Sequence, residues 1–374
     1  MRTLLTAVLV VGFVGLGTPP ALGQDPKPAP TAADLKPVLD KAVAFLRTTQ
    51  NEDGSWSPQR GGPGITALIV TGLLRHGYGP NDPMVAKALT YLESKVQKDG
   101  GVYDKMLANY TTSIALMAFR EANTDGRYDK VIENAVRFLK TLQYDEGRGF
   151  DPSRPEYGGT GYDAKSRPDL SNMQFFVEAL HAAGVPPDDP ALKRAVVFIS
   201  RSQNLPGEHN DLEFAKKVAE EDRGGFIYSP VGGGQSRAGK TPAGGLRSDA
   251  VMTYAGLKSF LHAGVSKKDP RVQAAVRWIK AHYTLDENPG QGRSGLFYYY
   301  HTFAKAMDAL GEGDVFVDAK GARHNWRADL FHALRIRQQA NGSWANNDDR
   351  FYEGDPNLCT AYALLALSYC KPAK

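Results

Sequence analysis

From Val38 to Gln50 the chain reads VLDKAVAFLRTTQ, and Val38, Ala42, Phe45 and Leu46 fall on one face of a 3.6-residue period. The phrase DGSW interrupts this helix, and a second, more apolar run, TALIVTGLLRHG, follows it. The same order recurs along the chain: an amphipathic helix, a Gly-aromatic turn, an apolar helix. MVAKALTYLESKVQKDGGVY leads to TTSIALMAFREAN, and VIENAVRFLKTLQYDEGRGF to SNMQFFVEALHAAG. ALKRAVVFISRSQ precedes a long insert and SDAVMTYAGLKSFLHAG; RVQAAVRWIKAHY precedes SGLFYYYHTFAKAMDAL; WRADLFHALRIRQQANGSW precedes LCTAYALLALSYC. Connectors such as GPNDP, VPPDDP and SKKDP stop a second helix with Gly and restart the next first helix with Pro.

A single hairpin is too small to bury its own apolar face, and a closed ring removes the exposed ends that a linear array must cap. The pattern therefore predicts an all-α fold, an (α/α)6 toroid of six helical hairpins in two concentric layers, with the apolar second helices inside. The interrupting phrase occurs most fully at Gln50-x3-Gly54-x-Trp56 and at Gln338/Gln339 to Trp344; elsewhere Tyr103, Phe150, Phe226 and Phe297 replace the Trp. Its Gly permits a tight reversal, its Trp covers the seam to the next hairpin, and its Gln can cap exposed backbone groups. This phrase, within these hairpins, resembles the QW-type repeat of squalene cyclases and prenyltransferase β subunits, the prenyltransferase/squalene oxidase repeat proteins. The resemblance implies the toroid. It leaves activity open, because such rings host cyclases, transferases, lyases and binding domains.

Composition and charge narrow the surroundings. Residues 1–23 read as a signal peptide, a charged start and an apolar run too short to span a bilayer comfortably. Residues 24–35 read as a Pro/Ala-rich linker, and 36–374 as the toroid domain with a long insert at about 204–245. The expected location is therefore exported: periplasmic, envelope or extracellular. With 42% apolar and 23% charged residues and a net charge of +4, the folded part is an ordinary globular chain. Its Lys and Arg are scattered, which argues against nucleic acid, and a monomer is expected. Cys359 and Cys370 lie on one predicted helix, about 16 Å apart in rise, too far to bridge.

The N-terminal ends of the inner helices should open into a central funnel, where backbone N–H groups lack intrahelical partners. Thr66, Thr112, Asn172, Asp249, His301 and Cys359 occupy roughly equivalent positions there, which helix capping also explains for Thr, Asn and Asp. Asp249 and His301 are the candidate catalytic pair. Burial would raise the pKa of the first and lower that of the second, whereas mutual pairing would do the reverse. Zinc-dependent prenyltransferase β subunits, which the repeat resembles, carry Asp-x-Cys on one inner helix and His on the last; here those positions read Tyr299-x-His301 and Cys359. Asp249, His301 and Cys359 would make a chemically acceptable zinc set, but they come from three helices with no close-spaced pair, so no cofactor is expected. The Asp-x-Asp-Asp cluster of squalene-type cyclases is absent.

Gly234-Gln-Ser-Arg-Ala-Gly239-Lys240-Thr241 matches a phosphate-loop spelling, yet Pro242, Gly244 and Gly245 prevent the helix that such a loop must open, so no nucleotide is expected. The densest chemistry lies in the last two hairpins: Tyr283, Asp286, Tyr298, Tyr299, Tyr300, Trp344, Asp349, Arg350 and Glu353 are the candidate ligand-binding residues. Consecutive aromatics cannot all face the core of one helix, so some should line the funnel, and the rest should wedge between hairpins. Aromatic walls with a few carboxylates suit a sugar, a peptide or an isoprenoid chain. Three functions remain: a protein that binds an elongated or ring-shaped small molecule in its funnel, an isoprenoid cyclase or prenyltransferase, and a polysaccharide lyase or hydrolase.

Overall fold

The structure is a computed structural model that describes residues 26–371; the expected signal peptide lies outside these residues. The first hairpin consists of α1 (Ala32–Thr49), the one-turn α2 (Pro58–Gly61) and α3 (Pro63–Arg75). The second is α4 (Pro83–Glu93) and α5 (Ala108–Ala122), and the third α6 (Asp129–Thr141) and α7 (Leu170–Ala182). Next come α8 (Pro190–Arg201), the short α9 (Glu213–Lys216) and α10 (Ala250–His262), then α11 (Pro270–Ala281) and α12 (Leu296–Leu310). The last is α13 (Trp326–Arg335) and α14 (Pro356–Ser368). An antiparallel ribbon, β1 (Val315–Val317) with β2 (Arg323–Asn325), connects α12 to α13; the repeat pattern gave no sign of it.

The inner helices contact one another in the closed order α3, α5, α7, α10, α12, α14 and back to α3. The chain is thus the (α/α)6 toroid that its periodicity predicts. Inner helices are buried almost all round, as in α14 from Leu358 to Leu367. Outer helices bury one stripe; α6 buries Ile132, Ala135, Phe138 and Leu139. Helix α1 packs on α14 and closes the outer layer. It starts inside the stretch expected to be linker, because Thr31 and Asp34 form a reciprocal capping box that nucleates the helix ahead of Pro37.

The recurring turn is the joint between neighbouring hairpins. Gln50 donates from Nε2 to Gly54 O in its own turn and to Met84 O on the next outer helix, α4. Gln143, Gln203 and Gln338 repeat the arrangement toward Ala191 O, Arg271 O and Val38 O, each at 2.9 Å. One turn further along each outer helix, a backbone carbonyl lies under the turn glycine. An added Cβ would sit 2.3 Å from Lys87 O at Gly54, 2.0 Å from Arg194 O at Gly158 and 2.2 Å from Lys41 O at Gly342. These glycines hold φ between 80° and 91°. Trp56 and Trp344 are fully buried and donate from Nε1 to Leu46 O and Leu334 O, the last turns of their own outer helices.

A buried ionic cluster ties three inner helices. Glu178 on α7 accepts Lys258 of α10 on one oxygen and Lys305 of α12 on the other, each at 2.6 Å. The insert between α8 and α10 carries its own small core of Phe214, Ala215, Ile227 and Leu246. Within it Lys240 pairs with Leu246 across a turn closed by Thr241 and Gly245, so Gly234–Thr241 is a loop with no helix starting at Lys240.

Candidate functional site

The inner helices point their N-termini toward one end of the ring, and four first-turn threonines there are structural. Thr66, Thr112, Thr253 and Thr360 accept the backbone N–H of Trp56, Val102, Phe226 and Trp344, tying each turn to its inner helix. Asp169, Asp249 and Asp355 are the N-caps of α7, α10 and α14. The register expected from sequence therefore divides: Asp249 caps its helix, whereas Cys359 and His301 lie deeper along theirs.

At this end a cavity of about 300 Å³ opens. Its wall carries six aromatic rings, Tyr110, Tyr162, Tyr298, Phe351, Tyr352 and Tyr362, with Ile65, Met106, Leu107 and Leu358 between them. Its polar residues are Arg60, Ser171 and Arg237; no carboxylate lines it. Leu107, Phe351 and Tyr352 hold positive φ of 61°, 71° and 63°, so three non-glycine residues in left-handed backbone face the same space. Such conformations cost energy and persist where the surroundings impose them, often at ligand sites. The Arg237 guanidinium is sandwiched between the rings of Tyr228, at 3.9 Å, and Phe351, at 4.6 Å.

A smaller pocket of about 20 Å³ shares Ser171, Arg237, Tyr298 and Phe351 with this cavity and runs back to Asp249, Asn288 and Gln291. Asp249 accepts the N–H of Met252 on Oδ1, while its buried Oδ2 is met only by the side chain of Gln291. Burial pushes its pKa up, against the opposing pull of its own N–H bond and of Arg237. Asn288 donates from Nδ2 to Ser294 O, which fixes its orientation and leaves Oδ1 buried and unpartnered; Gln291 Oε1 is likewise unpartnered. Tyr298 contacts both spaces, its hydroxyl held by Ser171 and the amide of Gln174.

The other sequence candidates spread over several roles. His301 lies behind the wall, its ring packed on Tyr362 at 5.2 Å and near Phe175 and Tyr298, with neither nitrogen hydrogen-bonded. Burial holds it well below the ordinary imidazole pKa, which favours the uncharged ring. Cys359 donates from Sγ to Glu353 O, and burial pushes its thiol up. Among the described residues no three His, Cys, Asp or Glu side chains gather as a metal set; Asp249, His301 and Cys359 are each taken up separately. Tyr299 and Tyr300 are buried, their hydroxyls on Thr284 O and Leu285 O. Tyr283 bonds Asp329 and stacks on Phe316 of the ribbon.

Trp344 belongs to the recurring joint, and the exposed Asp286 accepts Arg337 on its backbone oxygen. Asp349 and Arg350 are exposed at the rim, the first 3.9 Å from Arg60 and the second over the Phe351 ring. Glu353 is buried and caps α12 from outside: Tyr298 N donates to Oε1 and Asn346 Nδ2 to Oε2. Sequence reasoning missed Arg237, Tyr110, Tyr162 and Tyr362. Arg237 sits in an insert with no periodicity, and only ring closure brings it to the funnel.

The comparisons agree with this fold. Residues 59–218 match the squalene-hopene cyclase C-terminal domain. The type II terpene cyclase MstE from Scytonema superposes with a TM-score of 0.54 at 15% identity, over 91% of this chain and 98% of that one. The GH76A α-1,6-mannanase from Salegentibacter sp. HEL1_6 gives 0.55 at 11% identity, over 89% and 99%. An α-amylase from Clostridium perfringens gives 0.53 at 12% identity, over 89% and 98%. No curated protein matches significantly. The chain is thus a toroid similar to the squalene-cyclase and prenyltransferase repeat proteins, in a fold that glycoside hydrolases share.

Proposed function

We propose that this is an exported protein whose funnel binds an elongated apolar molecule ending in an anionic group. The observation that carries this reading is the composition of the 300 Å³ cavity: six aromatic rings, four aliphatic side chains and two arginines, with no carboxylate. The aromatic and aliphatic wall suits a hydrocarbon body. Arg237, already stacked and stripped of much of its water, suits an anionic end, and the convergent helix N-termini favour the same charge. A glycoside hydrolase needs two carboxyl groups flanking the bond it breaks. Between the two spaces only Asp249 supplies one.

The test is calorimetric titration with dodecanoate, dodecanol and mannohexaose against the wild type and Arg237→Met. Dodecanoate should bind, dodecanol more weakly, and the variant should lose the difference between them. Binding of mannohexaose without binding of dodecanoate would overturn the reading.

One observation favours a second reading on the same ligand. A buried acid with a raised pKa beside an apolar cavity is a proton source for an alkene, the resulting cation closing on a second double bond and losing a proton to water. Incubation of geranylgeranoic acid in D2O should then place deuterium on carbon with the wild type and not with Asp249→Asn; no incorporation with the wild type removes this reading.

A further inference from the structure

We infer that the side pocket between the N-terminus of α10 and the 286–295 loop is a subsite for a hydroxyl group, so that the ligand is an apolar acid hydroxylated close to its acidic end. This rests on the binding function proposed above and adds the chemistry of the polar end. The pocket opens from the larger cavity at Arg237, Tyr298 and Phe351. Among its lining residues two buried amide oxygens, Asn288 Oδ1 and Gln291 Oε1, have no hydrogen-bond partner, and Asp249 Oδ2 beside them is met only by the Gln291 side chain. Asp249 and Asn288 are each 1% exposed. Buried polar atoms in folded proteins nearly always find partners, so two unpartnered amide oxygens beside an under-satisfied carboxyl on one small pocket mark a place built for a donor.

The space decides the size of that donor. A pocket of about 20 Å³ admits one water-sized group and nothing larger. The surrounding charge decides its type. A metal cation or an ammonium would have to sit against Arg237, which lines the same pocket. A carboxylate or phosphate oxygen offers no proton to the acceptors. A hydroxyl donates to an amide oxygen and also accepts, so it fits Asp249 in either protonation state. The acidic end stays on Arg237, and a site with buried acceptors discriminates strongly against an analogue that leaves them unpaired.

The experiment compares dodecanoate with its 2-hydroxy, 3-hydroxy and 12-hydroxy derivatives by calorimetric titration, using the wild type and Gln291→Met. The substitution keeps the length of a half-buried side chain but removes its amide from Asp249, so its melting temperature is measured alongside. The 2- or 3-hydroxy acid should bind about tenfold more tightly than dodecanoate, and the 12-hydroxy acid should show no gain. Gln291→Met should erase the gain and leave dodecanoate affinity unchanged. Equal affinity of all four acids for the wild type would overturn the subsite while leaving the funnel reading intact, and so would a gain that survives in Gln291→Met. If none of the four acids binds, the funnel reading falls, and the subsite with it.

Discussion

Gln338 donates from Nε2 to the main-chain oxygen of Val38 at 2.9 Å, across 300 positions of sequence. This bond joins the last hairpin to the first, and the same bond made by Gln50, Gln143 and Gln203 joins others around the ring. Beside it Gly342 rests on Lys41 O, where a Cβ would come within 2.2 Å. Gly342→Ala is expected to destabilise the protein by roughly 3 kcal/mol or more, combining a φ of 90° with a backbone collision. Gly232→Ala is the control: its φ is 66° but nothing stands within 4 Å, and its cost should be about 1 kcal/mol. Urea unfolding of the two variants checks the difference; equal costs would remove the joint from the account of stability.

Two buried groups set opposite slopes of stability against pH. Burial pushes the Glu353 carboxyl up to about 7, against its bonds from Asn346 and the first N–H groups of α12. Its contribution is fully present below the ordinary carboxyl value of 4.5 and is lost as pH rises through about 7. Burial also pushes the Lys305 ammonium down to about 7 from 10.5, against the attraction of Glu178. Between those values the unfolded chain binds more protons, so stability rises with pH. Together they give a minimum of melting temperature near neutrality. Glu353→Gln should flatten the acid limb and Lys305→Met the alkaline limb, as scanning calorimetry from pH 5 to 10 would show.

Glu178 is the sole anion between Lys258 and Lys305 in the cluster that ties α7, α10 and α12. In acid, where both lysines carry their protons, Glu178→Gln strands two buried ammonium groups and should cost about 3–5 kcal/mol, the range for breaking a buried ion pair from one side. Replacing all three by Met should cost far less. Chemical denaturation of both variants decides between a cluster that stabilises and one that is merely tolerated.

His301→Leu is expected to raise stability by about 1 kcal/mol, because two buried ring nitrogens without partners are replaced by hydrocarbon. Its dodecanoate affinity should be that of the wild type, since the ring lies behind Tyr298 and Tyr362. A loss of binding at unchanged stability would return His301 to the site.

The ring was legible because its code is local. Apolar spacing, a Gly after each turn and a Pro before each outer helix all act within a few residues of one another. The Gln of the recurring phrase caps backbone as its amide suggests and crosses to the next hairpin, whereas the Trp, expected over that seam, bonds the last turn of its own outer helix. The site was legible only in part, because its residues meet through closure of the ring. Asp249 is legible from its place at a helix start, and Tyr298 from the run of aromatics it belongs to. Arg237 was passed over because its neighbours, Gly-rich and aperiodic, carry no signal of direction. Tyr299 and Tyr300 were included because a run of four aromatics says that their faces differ, without saying which face is which.

The packing of α1 against α14 has a consequence for chain order. Five connectors cross the ring at the end opposite the funnel: those from α3 to α4, α5 to α6, α7 to α8, α10 to α11 and α12 to α13. The start of α1 and the end of α14 lie where a sixth would run. A circularly permuted protein, with residues 371 and 31 joined by a short linker and new termini opened between α10 and α11, would keep every joint described above. The geometry of the funnel is thus indifferent to the order in which the chain visits its six hairpins.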